Sequence, residues 1–146
     1  MASNQPNHQN AVPELVGLLW RLADLHGALA SGLNLALAET AITSDQFRVM
    51  ASINELGSPT MGELNQKVGM ANATLSRIVD SLEDQAFAYR LPNPTDRRRI
   101  TVNLSDMGLE RFYKSNEILK AWQGNTRAIM PDSVTALLTD HSIEQL

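Results

Sequence analysis

The chain has 146 residues, with 12 Lys or Arg against 16 Asp or Glu and a formal net charge of −4, a size that fits one domain, alone or with helices that complete their core against a second copy. It has no cysteine, which excludes disulfides and thiolate zinc sites, and none of its three histidines (His8, His26, His141) has metal-ligand spacing with another. No apolar run reaches the roughly 18 residues of a membrane span, the start lacks a signal-peptide pattern, and no phosphate loop, nucleophile elbow or HExxH is present, so a soluble, cytoplasmic protein that is not an enzyme and carries no metal or cofactor is expected.

Residues 1–11 are polar, without apolar periodicity, and read as a flexible tail. Pro13 suits the first turn of a helix. From there Leu15, Leu18, Leu19, Leu22, Leu25, Leu29, Leu33 and Leu37 recur at three- and four-residue spacing, predicting one helix over 12–40. Such a helix is on the order of 40 Å long, more than a small domain covers, so it is expected to dimerise; the alternative is a core helix of a monomer. Gly17, Gly27 and Gly32 within it point to a close helix approach or a bend.

Thr43 with Gln46 three residues later forms a capping box that opens a second helix to about Leu56, with Phe47, Val49, Met50 and Ile53 inward. Gly57-Ser58-Pro59 stops it. A second capping box, Thr60 with Glu63, opens a short third helix through about Val68, and Gly69 takes the turn. A fourth helix follows from Ala71 or Asn72 to Ala86, with Leu75, Ile78, Val79 and Leu82 inward. Residues 88–91 and 100–104 are strand candidates around a polar tip. Ser105 caps a helix over Asp106 to about Met130, with Met107, Phe112, Ile118 or Leu119, Trp122 and Ile129 apolar, and Pro131-Asp132 restarts a last helix bearing Val134, Leu137, Leu138 and Ile143.

Helix pair, hairpin and basic tip in this order describe a winged helix-turn-helix, a DNA-binding arrangement. The charge distribution agrees. Residues 60–104 carry six Lys/Arg against five acids, a net of +1, and the remainder six against eleven. Phosphate neutralisation supplies most non-specific affinity, and this much charge predicts modest binding by one subunit and hence a dimer.

Thr60-Met-Gly-Glu-Leu64, Gly69-Met-Ala-Asn-Ala-Thr-Leu-Ser-Arg77, Asp80-Ser-Leu82-Glu83, Pro94-Thr-Asp96-Arg-Arg98 and Leu104-Ser-Asp-Met-Gly108 together resemble the MarR family of transcription regulators. Similarity extends over 12–146 in element order and is specific over 60–108. The resemblance implies a mainly α fold with a small β-hairpin wing and a triangular homodimer. Residues 43–104 would form the winged helix-turn-helix, flanked by dimerisation helices at 12–40 and 106–146. The fourth helix would enter the major groove of double-stranded DNA and the wing the minor groove. Three positions depart from the family pattern: Asn65 replaces a small residue, Ala86-Phe87 replaces Gly-Leu and so lacks the glycine of a left-handed C-cap, and Ala71 replaces a capping residue, which shifts the expected N-cap to Asn72.

Arg97, Arg98 and Arg99 are expected to meet phosphate or the minor groove, Arg98 foremost, with Asp96 orienting one guanidinium; Arg99 alternatively lies on the outer face of the strand. Asn72, Ala73, Thr74, Ser76 and Arg77 are expected at base edges or phosphates, although Asn72 has an equal alternative as a cap and Thr74 as a packing residue. Trp20, His26, Arg48 and Trp122 are candidates for the pocket of a small aromatic or phenolic effector that releases a repressor from a pseudo-palindromic operator. Each also has an ordinary reading: dimer-core aromatics, an ion-pairing arginine, a half-buried histidine. The rival function is a dimeric interaction module of the same fold that acts through protein partners without DNA.

Overall fold

A computed structural model describes residues 12–127. The expected tail at 1–11, Ile129, and the last helix with Val134, Leu137, Leu138 and Ile143 lie outside the described residues. The chain falls into two units that part between Gly32 and Leu33.

The first unit is the larger part of helix α1 (Glu14–Ala36), whose first turn is closed by the amides of Val16 and Gly17 donating to the Pro13 carbonyl. No residue of α1 is buried; Leu15 is 79% exposed, Leu19 62% and Trp20 57%. The leucine spacing seen in the sequence is therefore an uncovered apolar stripe.

The second unit begins with the last residues of α1, and here the expected end of the helix shifts. The α-helix stops at Ala36 and not near Thr40; a single 3-10 turn, Ala38–Thr40, follows the buried Leu37, and Ala41 reverses the chain at φ 58°. The Thr40 hydroxyl donates to the Leu37 carbonyl at 2.6 Å, and Arg111 donates to the Thr40 carbonyl at 2.7 Å, so the last carbonyls of this end are capped from α5 (Asp106–Arg127).

Helices α2 (Ser44–Leu56) and α3 (Met61–Val68) open on the two expected capping boxes, Thr43 with Gln46 and Thr60 with Glu63, each reciprocal. Gly69 closes α3 at φ 61°, where a Cβ would be strained. Asn65 has a positive role: its carbonyl accepts from Gly69 and its side-chain amide donates to the Met70 carbonyl at 2.6 Å, which ties the turn into α4 (Asn72–Asp84).

Strands β1 (Ala88–Pro92) and β2 (Ile100–Leu104) pair antiparallel, Ala88 opposite Leu104 and Pro92 opposite Ile100. A third edge is added by Pro59 and Thr60: the Val102 amide donates to the Pro59 carbonyl at 2.8 Å and Thr60 bridges Thr101. The core is Ile42, Val49, Met50 and Ile53 of the α2 region, Leu64 and Val68 of α3, Leu75, Val79 and Leu82 of α4, with Phe87, Ala88, Val102 and Phe112. Phe47 stacks on Phe112 with ring centroids 5.3 Å apart. Met107, expected among the apolar positions of α5, is 47% exposed.

Two further differences follow from backbone geometry. Ala86 is left-handed at φ 58° even without the glycine. The Phe87 amide donates to the Leu82 carbonyl and the Ala86 amide to that of Glu83, a Schellman pair that satisfies the end of α4 and holds the alanine there. The start of α5 shows why Gly108 stands where it does: the Ser105 hydroxyl accepts from the Gly108 amide at 2.9 Å, and a Cβ at Gly108 would lie 1.9 Å from the Phe87 carbonyl oxygen. The helix therefore packs directly on the backbone that leads into β1.

Candidate nucleic-acid interface

Helix α4 begins without a side-chain cap. Ala71 occupies the N-cap position in extended conformation, and Asn72 is the first helical residue, which corrects the expectation that Asn72 caps the helix. Its side chain is left exposed, beside exposed Ala73, Thr74 and Arg77 and half-buried Ser76. The opposite side of α4 carries Leu75, Val79 and Leu82 into the core. Gln46 donates to the Ser81 hydroxyl at 3.1 Å, fixing α4 against α2.

The tip of the wing is organised by two side chains. Asn93 Oδ1 accepts from the Thr95 amide at 2.9 Å, the Thr95 hydroxyl at 2.6 Å and the Asp96 amide at 3.3 Å. The Asn93 amide donates to the Arg99 carbonyl at 2.7 Å, closing the loop. Asp96 Oδ1 accepts from the Arg98 amide at 3.1 Å, and the Asp96 carbonyl accepts from the Arg99 amide. Asp96 thus orients the backbone that bears the arginines; among the described residues it pairs with no guanidinium, contrary to the expectation. Asn93 was not singled out in the sequence, although Asn-Pro is a turn signal.

The basic residues divide into two groups. Lys67 pairs with Glu55 at 2.7 Å, Arg90 with Asp80 at 2.9 Å and with Glu83, and Arg99 with Glu63 at 3.0 Å. Arg90 ties β1 to α4, and Arg99 ties the far end of the hairpin to α3. Among the described residues Arg77, Arg97 and Arg98 form no ion pair, and all three are exposed. Glu63 spends one carboxylate oxygen on the Thr60 amide and hydroxyl, at 2.8 and 2.9 Å, and the other on Arg99. The Thr60 amide and hydroxyl, then Arg99, hold the Glu63 carboxyl below its ordinary range.

The four candidate pocket residues have separate surroundings. Trp20 and His26 are exposed on α1. Arg48 donates to the Val68 carbonyl and so satisfies the C-terminus of α3. Trp122 is half-buried on α5, its carbonyl accepting from Thr126 at 2.8 Å. Two depressions of the second unit, of about 270 and 220 Å³, have other linings: Ile53, Asn54, Tyr89, Asn103 and their neighbours in one, Met107, Glu110, Arg111 and Lys114 in the other. No helix among the described residues is long and apolar enough to cross a membrane, and no group of candidate metal ligands occurs among them.

The pattern that describes the MarR family matches residues 42–100. The chain is 37% identical over 76 residues to the multiple antibiotic resistance protein MarR of Salmonella typhimurium, a match that spans 52% of this chain and about half, 53%, of that relative. It is 36% identical over 107 residues to MarR of Escherichia coli, covering 72% of this chain and 74% of that protein. Among solved structures, a cysteine-to-serine variant of E. coli MarR complexed with operator DNA superposes with a TM-score of 0.76 at 26% identity, over 86% of this chain and 91% of that one.

Proposed function

Since the chain belongs to the MarR family, whose members are transcription regulators, we propose that it binds double-stranded DNA sequence-specifically as a homodimer and represses from a pseudo-palindromic operator. The observation that carries this reading is the division of charge. Cations at the base of the wing are consumed by carboxylates, while Arg77 on α4 and Arg97 and Arg98 at the wing tip stay exposed and without an ion pair among the described residues. Holding like charges together at an ordered tip opposes folding, and a polyanion relieves that repulsion. The operator complex of the E. coli relative supports the same polyanion.

In this reading Asn72, Ala73, Thr74, Ser76 and Arg77 of α4 meet base edges in the major groove, with Arg77 suited to guanine, Asn72 to adenine and the Ala73 methyl to thymine. Arg97 and Arg98 meet phosphate or a narrow minor groove. Residues 12–146 act as one MarR-like unit, and the uncovered leucines of α1, with the last helix, are the dimer contact. An aromatic or phenolic effector releases the repressor, with Trp20, His26, Arg48 and Trp122 as the pocket candidates.

Selection of bound duplexes from a randomised library tests the proposal. Enrichment of a two-fold symmetric motif is expected, with half-site centres roughly 34–36 Å apart, together with a dimer in sedimentation. A library that emerges unenriched, or a protein that sediments only at 16.0 kDa, contradicts it and turns attention to protein partners.

A further inference from the structure

Glu63 holds more than the start of α3. Its carboxylate spans two elements that are 36 residues apart in sequence: one oxygen takes the Thr60 amide and hydroxyl, and the other takes Arg99 Nη2 at 3.0 Å, at the foot of the wing. Arg99 is also the residue whose carbonyl accepts from Asn93 and whose amide donates to Asp96, so the pair grips the loop at the point where both of its internal bonds close. Thr60 adds a backbone bridge to Thr101 two residues further along the same strand. The foot of the wing is thereby attached to α3 by a side chain and by a strand edge, while Arg97 and Arg98, one and two residues away, stay outside the pair.

We propose that Glu63 is a positioning and specificity-determining residue: it fixes the wing against the helix-turn-helix and withholds Arg99 from DNA phosphate, so that the wing presents two free guanidinium groups and not three. This rests on the DNA-binding reading above. A third free arginine would add affinity for every duplex alike, because phosphate contacts carry no sequence information. Its neutralisation lowers the non-specific background against which base contacts on α4 are read. The pair is half-exposed, with side-chain exposures of 51% for Arg99 and 50% for Glu63, so its effect is modest.

Two variants of the full chain separate this from a purely structural pair. Glu63→Gln keeps an acceptor for the Thr60 amide, since glutamine also serves at this position of a capping box, but presents no anion to Arg99. Arg99→Gln leaves the cap untouched. Binding to the selected operator and to an unrelated duplex is measured over a range of salt, and amide hydrogen exchange is followed across residues 93–99 in the absence of DNA.

For Glu63→Gln the slope of log K against log salt on the unrelated duplex steepens by about 0.9, one released phosphate contact. The ratio of operator to unrelated affinity falls about threefold, the scale of a half-exposed pair. For Arg99→Gln the ratio falls similarly with the wild-type slope retained. Both variants exchange faster at the wing. A Glu63→Gln protein with wild-type slope and ratio overturns the proposal, as does an Arg99→Gln protein whose slope flattens by about 0.9, which would put Arg99 on phosphate already. Wing exchange unchanged in Arg99→Gln overturns the positioning claim independently of DNA. A wild-type protein that binds neither duplex overturns the DNA-binding reading itself.

Discussion

The base and the tip of the wing are built from the same residue type and use it in opposite ways. At the base, Arg90 and Arg99 are neutralised by carboxylates of α4 and α3, and the guanidinium groups act as struts between elements. At the tip, Arg97 and Arg98 are exposed and outside any ion pair among the described residues, and the loop that carries them is ordered instead by the neutral side chain of Asn93 and by Asp96 bonding to backbone. Structural work and charge presentation are thus assigned to different residues within one hairpin. Net charge over residues 60–104 conceals this, because half of the six cations counted there are already paired.

The comparison breaks first if the seat of the base is removed. Gly108→Ala drives a Cβ to 1.9 Å from the Phe87 carbonyl, a backbone atom that no rotamer change can move. A loss on the order of 3 kcal/mol is expected in denaturant unfolding, from forced overpacking and backbone shift. A smaller effect separates strut from free cation: Arg90→Ala leaves Asp80 and Glu83 facing each other and is expected to cost about 1 kcal/mol. Its DNA salt slope should stay at the wild-type value, and a flattened slope would place Arg90 with the tip.

Strain at the end of α4 gives a third effect, of the opposite sign. Ala86 holds φ 58°, where an L residue pays roughly 1–2 kcal/mol. Glycine escapes that penalty and loses part of the gain to the entropy of the unfolded chain. Ala86→Gly should therefore stabilise by roughly 0.5–1 kcal/mol, read as a raised urea midpoint with unchanged slope.

The smallest effect is acid sensitivity. The Glu63 carboxyl titrates below its unfolded value because it accepts from Thr60 and faces Arg99. Its contribution is therefore complete above the unfolded value near 4.5 and is lost as pH falls through the lower folded value. Stability measured from pH 6 to 3 should fall less steeply in Glu63→Gln than in wild type, and parallel curves would remove Glu63 from the acid limb.

What was legible in the sequence was local. Thr43 with Gln46 and Thr60 with Glu63 announce helix starts because the capping box is closed by residues three apart, and the alternation at 100–104 marks the second strand. Long-range partners left no local trace: Arg99 with Glu63, Arg90 with Asp80, and Pro59 with Val102 depend on how the chain returns. Ala86 misled for a different reason. An alanine carries no turn signal, and its left-handed geometry is imposed by the Schellman bonds around it. Asn72 was free to be read as a cap because extended conformation at Ala71 could not be seen from residue type alone. The interface residues on α4 and the wing were identifiable by position and chemistry. Their division into struts and free cations required the fold.

The most direct test of the central claim is the salt dependence of operator binding by an Arg97→Ala/Arg98→Ala protein against wild type. If these two residues meet phosphate, the slope of log K against log salt flattens by about 1.8 per subunit, two contacts at about 0.9 each, while the unfolding midpoint stays unchanged. Unchanged affinity and slope in the double variant would contradict DNA contact by the wing tip.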